Sequence, residues 1–130
     1  LLGKYQGRMS HMAARPLTAL REELLQLKGI GPETADDILL YACDKPIFVV
    51  DAYTSRIFYR CGLVPERIGY EDLQRVVQVH LEPEVHRYKE FHGLIVWTGK
   101  DYCRKIPRCE GCPLVISREQ QPCFPCYRSA

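Results

Sequence analysis

The sequence lacks any long apolar run. No stretch approaches the ~18 apolar residues that a helix needs to cross a bilayer, which excludes a membrane-spanning protein. The first sixteen residues hold no apolar stretch followed by a small-residue cleavage site, so they do not form a secretory signal. An initial methionine is also missing, and we expect the chain to be a piece of a longer protein. What is present is a globular composition, 46% apolar and 26% charged.

Strand patterns, repeats and low-complexity linkers are also scarce. The one strand-like run, residues 47–50, has no partner run and is predicted to be an extended connector. Elsewhere apolar residues recur at the helical spacing of three and four. This spacing predicts one continuous helix from Pro32 to Lys45, and a last helix that ends near Gly99 with Trp97 as a packing residue. Beyond Gly99 the prolines and cysteines predict no regular structure. The sequence therefore predicts an all-α domain over residues 1–100, followed by a cysteine-rich tail over residues 101–130.

The positive charge is concentrated toward the C-terminus. Residues 1–85 carry 10 Lys/Arg against 12 Asp/Glu, whereas residues 86–130 carry 8 against 4. The balance is thus −2 in the first part and +4 in the second. This distribution favours a polyanionic partner for the C-terminal part, although ordinary surface charge produces the same pattern.

Cysteine, by contrast, is abundant and crowded. Five of the seven cysteines lie in the last 28 residues, and such crowding of an odd number is not typical of a disulfide scaffold. It indicates a ligand cluster in a reducing compartment. Cys103, Cys109 and Cys112 form a short-spaced trio, and Cys123 or Cys126 offers a fourth thiolate. Four thiolates bind a [4Fe–4S] cluster or a tetrahedral Zn²⁺.

Two glycines separate two amphipathic helices near the N-terminus. Residues 27–31 read Leu-Lys-Gly-Ile-Gly, which allows a very tight turn and close approach of another backbone. The helix that follows would present its first amides and its dipole to an anion. Lys28 and the amides of Gly29, Ile30 and Gly31 are therefore a candidate site for a nucleic-acid phosphate. The alternative is a plain helical hairpin, in which the glycines serve only the turn.

Three motifs resemble the endonuclease III superfamily of DNA glycosylases, in that family's order. Residues 24–36 (LLQLKGIGPETAD) resemble its helix-hairpin-helix, and residues 48–56 (FVVDAYTSR) resemble its aspartate segment. Residues 103–113 (CRKIPRCEGCP) are similar to its iron–sulfur loop. The resemblance covers residues 15–115 and implies the C-terminal two-thirds of a helix-hairpin-helix glycosylase fold, without most of the N-terminal helices. It implies base excision repair on double-stranded DNA, and we expect DNA binding to survive better than turnover.

By this resemblance the chemistry is carried by Asp51, which assists departure of the damaged base. A carboxylate near C1′ offsets the positive charge that develops on the sugar, and more strongly in an apolar pocket. The alternative is an N-cap, since Asp before a helical run accepts hydrogen bonds from free amides. Both roles can hold at once. His92 occupies a position where the family often has histidine, and we expect it to be a packed, hydrogen-bonded side chain.

Glu33 departs from the lyases of the family. Those enzymes carry a lysine at this position, which attacks C1′ and forms a Schiff base, and glutamate cannot do so. The sequence of residues 29–42 is most similar to the branch related to 3-methyladenine DNA glycosylase III. The resemblance thus implies a monofunctional glycosylase for an alkylated base, with AP-lyase activity not expected. A mismatch or uracil-type glycosylase, a non-catalytic DNA-binding module and a zinc-binding adaptor remain alternatives.

The cysteine loop departs from the family pattern in its spacing. Its first interval is five residues rather than six, and its last is ten or more rather than five. The trio is predicted to ligate a [4Fe–4S] cluster, or alternatively zinc, with the fourth ligand open between Cys123 and Cys126. Nearby basic residues would offset the charge of the cluster and contact phosphates: Lys100, Arg104, Lys105 and Arg108. We expect a monomer in the cytoplasm of a bacterium or archaeon, associated with the nucleoid.

Overall fold

The computed structural model describes residues 9–116, and the fold over that range is entirely helical. The helices are α1 (Met9–Ala13), α2 (Leu17–Leu25), α3 (Pro32–Asp37), α4 (Ala52–Arg60), α5 (Tyr70–His80), α6 (Val85–Asp101) and α7 (Pro113–Ile116). A π-helical turn, Ile38–Ala42, continues α3. The predicted all-α class is therefore confirmed. None of the helices in this range is both long and apolar enough to span a membrane.

The chain divides into two compact units. The first comprises Leu1–Val49 with Val77–Glu90, and the second comprises Val50–Val76 with Phe91–Ala130. Helices α1 to α3 belong to the first unit, α4 and α7 belong to the second, and α5 and α6 contribute residues to each. The predicted boundary between residues 100 and 101 stays a prediction.

Helices α2 and α3 bury the apolar positions that their spacing predicts. Leu20, Leu24, Ala35 and Leu39 are completely inaccessible to solvent. Each buried leucine contributes about 1.5 to 3 kcal/mol relative to an exposed one. Each helix buries only one apolar stripe. The residues between the two helices form a hairpin at the surface.

An ion pair joins α2 to α3 across that hairpin. The guanidinium of Arg21 meets the carboxylate of Asp36 through two parallel contacts, Nε to Oδ1 at 2.7 Å and Nη2 to Oδ2 at 3.0 Å. The Asp36 side chain is 0% exposed and that of Arg21 is 18% exposed. A bidentate charged pair with this burial constrains the angle between the helices. Apolar spacing alone did not indicate it.

The helix that begins at Pro32 is not uniform, which corrects the prediction of one continuous α-helix. After Asp37 it widens into the π-helical turn, in which the amide of Cys43 donates to the carbonyl of Ile38 at 3.1 Å. Asp44, with φ at +51°, ends the turn. Aspartate tolerates this left-handed conformation better than most residues.

Residues 47–50 form the extended connector that was predicted. All four side chains are buried, yet no strand pairs with them in the described range. Side chains provide partners for the backbone instead. In the first unit the amide of Phe48 donates to Oε1 of Gln78 at 2.8 Å, and in the second unit the amide of Val50 donates to the hydroxyl of Tyr70 at 3.3 Å.

In the second unit α4 packs closely against α6. A Cβ on Gly99 would overlap the ring of Tyr53, so the glycine permits this approach. The rings of Phe58 and Phe91 meet edge to face, with centroids 6.5 Å apart. These contacts bring the N-terminus of α4 and the middle of α6 into one unit.

Two expectations for the C-terminal part were wrong. Helix α6 continues past Gly99 to Asp101, and a short helix, α7, follows at Pro113–Ile116. Trp97, expected to pack inside, is 48% exposed and contacts Tyr102 edge to face. Trp97 lines an apolar groove of about 430 Å³. The helical period identified α6 correctly but could not show which of its apolar residues face a groove.

We predict that replacing Asp36 with alanine lowers the free energy of unfolding by about 3 to 5 kcal/mol, because the guanidinium of Arg21 loses its buried partner. Urea denaturation measures the change. Asp72→Ala is the matched control: it removes an exposed carboxylate paired with Arg75, at an expected cost below about 1 kcal/mol. Equal effects of the two substitutions would contradict the assignment.

Candidate functional site

Asp51 begins α4 as its N-cap. Its Oδ1 accepts hydrogen bonds from the amide of Thr54 at 2.8 Å and from the hydroxyl of Thr54 at 2.9 Å. The Thr54 hydroxyl oxygen in turn accepts from the amide of Asp51 at 3.4 Å, which completes a capping box. Thr54 is completely buried. The N-cap interpretation of Asp51 is therefore confirmed, and the cap fixes the orientation of the carboxylate.

His92, on α6, holds the other carboxylate oxygen of Asp51. Its Nε2 lies 3.0 Å from Oδ2, and the two side chains are only 13% and 12% exposed. The expectation of a packed, hydrogen-bonded histidine is confirmed. Its partner, however, was not foreseen, because residues 41 positions apart in the sequence have no periodic relation.

The carboxyl of Asp51 is nearly enclosed yet remains acidic. Burial opposes ionisation, but the hydrogen bonds from His92 and from the amide and hydroxyl of Thr54 together outweigh it and hold the pKa of Asp51 below its usual value. A carboxylate has about four acceptor positions. With two used on Oδ1 and one on Oδ2, a further donor or a developing positive charge can be accommodated at Oδ2. The arrangement is thus a preorganised, ionised carboxylate.

The hairpin lies in the first unit, at residues 26–31. Gly29 has φ at +87°, a conformation that strongly favours glycine. Gly31 is the N-cap of α3, with φ at −92°, and a Cβ there would meet nothing within 4 Å. The fold therefore requires a glycine at position 29 but not at position 31.

The hairpin amides are not equivalent. The amide of Ile30 donates to the carbonyl of Leu27 at 3.2 Å, so it is already used inside the turn. Within residues 9–116 no backbone carbonyl accepts from the amides of Gly29 or Gly31. Lys28 beside them is exposed. Of the predicted set, Lys28 and these two glycines are accessible to an outside group.

The three cysteines of the trio differ in burial. Cys103 and Cys112 are buried and Cys109 is half-buried. The amide of Cys112 donates to the carbonyl of Cys109 at 3.1 Å, in a turn that contains Gly111 at a φ of +78°. In the range 9–116 no three metal-ligating side chains form one group. Cys123 and Cys126, the candidates for the fourth ligand, lie outside the described residues.

Two arginines of α4 hold the loop that starts at Cys103. Nη1 of Arg56 donates to the carbonyl of Cys103 at 3.0 Å. Nη1 of Arg60 donates to Sγ of Cys103 at 3.4 Å and to the carbonyl of Arg104, while its Nη2 donates to the carbonyl of Lys105 at 2.9 Å. Sequence reasoning did not single out Arg60. The sequence does indicate that Arg60 is buried, because it lies three residues after the apolar Ile57 and therefore on the same helix face.

Basic side chains line a pocket of about 440 Å³ at the start of α4. No acidic residue lines it, and its positive charge attracts anionic groups such as phosphate. Arg104 is anchored there by its Nε, which donates to the carbonyl of Lys100 at 2.8 Å. The lining residues are Ala52, Tyr53, Arg56, Gly99, Lys100, Arg104 and Lys105.

Glu33 is an exposed carboxylate in the first turn of α3. The residues that sequence reasoning missed are Thr54 and Arg60, together with the pairing of His92 to Asp51. Thr54 carried a readable signal, because Asp followed three residues later by Thr has the spacing of a capping box.

Comparison with known proteins identifies relatives of the chain. A model of the helix-hairpin-helix motif matches residues 17–41. A protein of Methanocaldococcus jannaschii assigned as a DNA repair glycosylase is 47% identical over 95 residues, which are 73% of this chain and 43% of the relative. Endonuclease III of Thermotoga maritima is 31% identical over 113 residues, 86% of this chain and 48% of that enzyme. Endonuclease III of Bacillus subtilis is 27% identical over 103 residues, 78% of this chain and 46% of that enzyme. The chain thus spans somewhat less than half the length of these relatives.

We predict that Asp51→Asn lowers the free energy of unfolding by about 1.5 to 3 kcal/mol at neutral pH, since hydrogen bonds to a charged group are lost while asparagine still caps α4. Because folding depresses the pKa of Asp51, the contribution is complete above the unfolded-state pKa of about 3.9 and disappears as the pH falls through the lower folded-state pKa.

Urea denaturation from about pH 7 down to about pH 3 tests this dependence. Asp72→Asn serves as the control, because its carboxylate is 66% exposed. A difference between the unmodified chain and Asp51→Asn that stays constant over the whole range would show that the charge of Asp51 contributes nothing.

Proposed function

The chain belongs to the endonuclease III superfamily of helix-hairpin-helix DNA glycosylases, and we propose from this membership that it removes damaged bases from double-stranded DNA in base excision repair. The proposed reaction is hydrolysis of the N-glycosidic bond, with Asp51 assisting. The observation that carries the proposal is the enclosed, ionised carboxylate that Thr54 and His92 hold in one orientation.

The role of Asp51 follows from the charge that develops as the base departs. Enzymes of this chemistry extrude the target nucleotide from the stack, and its sugar becomes positively charged as the glycosidic bond breaks. A carboxylate that is already oriented stabilises that charge without reorganisation at the moment of reaction. The hydrogen bonds from Thr54 and His92 support this role, because they fix the carboxylate and favour its ionised form.

Contact with DNA is assigned to the hairpin and to the basic pocket. Lys28 and the amides of Gly29 and Gly31 offer donors to a backbone phosphate, whereas the amide of Ile30 is already bonded within the turn. The pocket beside Arg56 and Lys100 adds a second attraction for phosphate. Both contributions are electrostatic and independent of base sequence.

Glu33 supports a monofunctional reaction. Formation of a Schiff base needs an amine at the reacting centre, and a carboxylate at this position cannot supply one. Water is then the nucleophile, and AP-lyase activity is not expected. An alkylated purine is the proposed substrate, with a mismatch or a uracil as the alternative.

The cysteine loop is proposed to hold a [4Fe–4S] cluster, with zinc as the alternative. Cys103, Cys109 and Cys112 are three soft thiol donors, two of them buried, and Cys123 or Cys126 is the proposed fourth. The bound cluster or zinc ion would link the ends of the cysteine loop and stabilise it, as structural metal centres do. We further propose a monomer that acts at the nucleoid, in the cytoplasm of a bacterial or archaeal cell.

A non-catalytic DNA-binding module is the second candidate function. The hydrogen bonds of Asp51 with Thr54 are those of an ordinary capping box, so this part of the geometry does not require catalysis. The contact with His92 favours the enzyme, because capping α4 does not need it. Measurement of base release distinguishes the two functions.

We predict that the chain forms abasic sites in methylated duplex DNA and that Asp51→Asn reduces the rate at least about 100-fold, because the charge on the sugar loses its counterion. DNA affinity should change little. Cleavage of the product by alkali, followed on a gel, measures the rate, and Asp72→Asn is the control. DNA binding without any base release by the unmodified full-length protein would support the non-catalytic module instead. Borohydride is added to a parallel reaction of the enzyme with abasic DNA. Efficient formation of a covalent enzyme–DNA adduct would refute the monofunctional reaction.

We predict that Gly31→Ala weakens binding to duplex DNA about tenfold, because a Cβ obstructs the approach of a phosphate, and changes the free energy of unfolding by less than about 0.5 kcal/mol. Fluorescence anisotropy measures the affinity. Gly29→Ala should cost about 1 to 2 kcal/mol of stability, because its φ is positive. Gly93→Ala, at another open position, is the control for the substitution. Unchanged affinity of Gly31→Ala would remove the hairpin from the DNA interface.

A further inference from the structure

The chain just before Asp51 is extended and has no strand beside it within residues 9–116. The amide of Val50, one residue before Asp51, donates instead to the hydroxyl of Tyr70 at 3.3 Å. Val50 is only 3% exposed, so the phenol takes the place of the carbonyl that a neighbouring strand would supply. Val50, Asp51 and Tyr70 all belong to the second unit.

Tyr70 is itself held in place by the first turn of α5. It is the first residue of that helix, and the amide of Leu73 donates to the carbonyl of Gly69 at 3.0 Å. Leu73 is completely buried and Gln74 is 5% exposed. Because residues three and four positions apart share a helix face, these buried side chains anchor the turn that carries the tyrosine. The hydroxyl is thus presented to Val50 from a fixed element.

We propose that Tyr70 is a positioning residue for Asp51, because it fixes the backbone from which the carboxylate projects. This inference rests on the proposed role of Asp51 in base release. Thr54 and His92 hold the two carboxylate oxygens, and the capping box fixes the chain on the C-terminal side of Asp51. Tyr70 supplies a constraint on the N-terminal side. Reaction rates depend on such constraints, since a displacement of ~1 Å in a reacting group can cost about 100-fold.

Gln78 offers a matched control for this role. In the first unit the amide of Phe48 donates to Oε1 of Gln78 at 2.8 Å, which is the same kind of contact three residues before Asp51. Gln78 and Tyr70 are both half-buried. Removing either acceptor deprives one amide of the connector of its hydrogen bond, at a similar cost in stability. The amide of Val50 lies next to Asp51, so only its loss should disturb the carboxylate.

The experiment compares Tyr70→Phe with Gln78→Met in the full-length protein. Carbon-13 NMR of labelled aspartate follows the pKa of the Asp51 carboxyl, with Asp51→Asn identifying its signal, and single-turnover base release gives the rate. Tyr70→Phe should raise the pKa of Asp51 toward its usual value, because a displaced carboxylate loses part of the hydrogen bonding that lowers it. It should slow base release about tenfold and leave DNA affinity unchanged. Gln78→Met should change neither the pKa nor the rate.

An unchanged titration of Asp51 in Tyr70→Phe would overturn the proposal, as would an unchanged rate of base release. Equal shifts in both variants would also overturn it, because they would indicate a general loosening of the connector. If Tyr70→Phe folds poorly, amide hydrogen exchange in the unmodified protein tests the contact: slow exchange at Val50 would support it, and exchange at the rate of an unprotected amide would overturn it. Absence of base release by the unmodified protein would refute the proposed function alone, since the titration and the exchange need no turnover.

Discussion

The carboxylate of Asp51 is the constraint on which the second unit depends. One of its oxygens closes the capping box that begins α4, and the other is held by His92 from α6. A single side chain therefore ties the start of one helix to the middle of another. Because burial alone would favour the neutral acid, the hydrogen bonds must be complete for the carboxylate to remain ionised. The same contacts that organise the unit thus keep the carboxylate ionised.

One arginine in each unit fixes a segment by a different means. In the first unit Arg21 pairs with Asp36, so the charges are balanced within the hairpin itself. In the second unit the acceptors of Arg60 within residues 9–116 all lie on the cysteine loop. A buried ion pair constrains geometry more reliably than it adds stability, because removing ions from water offsets much of their attraction. Arg21 thus helps to fix the hairpin within the first unit, and Arg60 helps to fix the cysteine loop within the second.

Sequence patterns predicted the elements well wherever one face of a helix is buried. The spacing of Leu20 and Leu24 predicted α2, and the capping geometry at Asp51 followed from an ordinary N-cap preference. Residues 47–50 were correctly interpreted as a connector because no partner run existed. The π-helical turn after Asp37 was not predictable, since its residues keep an acceptable α-helical period. The exposure of Trp97 was also missed, because the period marks a face without showing what covers it.

The sequence by itself determined the helical class, the hairpin with its two glycines, the candidate carboxylate and the cysteine trio. Each of these depends on residues close together in the chain, where spacing and residue type carry the information. The tertiary structure alone decided which side chains surround those groups. His92 meets Asp51 across 41 positions, and Arg60 meets Cys103 across 43. Such pairings depend on how α6 and the loop pack against α4. Packing between distant segments leaves no period in the sequence, so the partners of the carboxylate and of the sulfur became visible only in the folded chain.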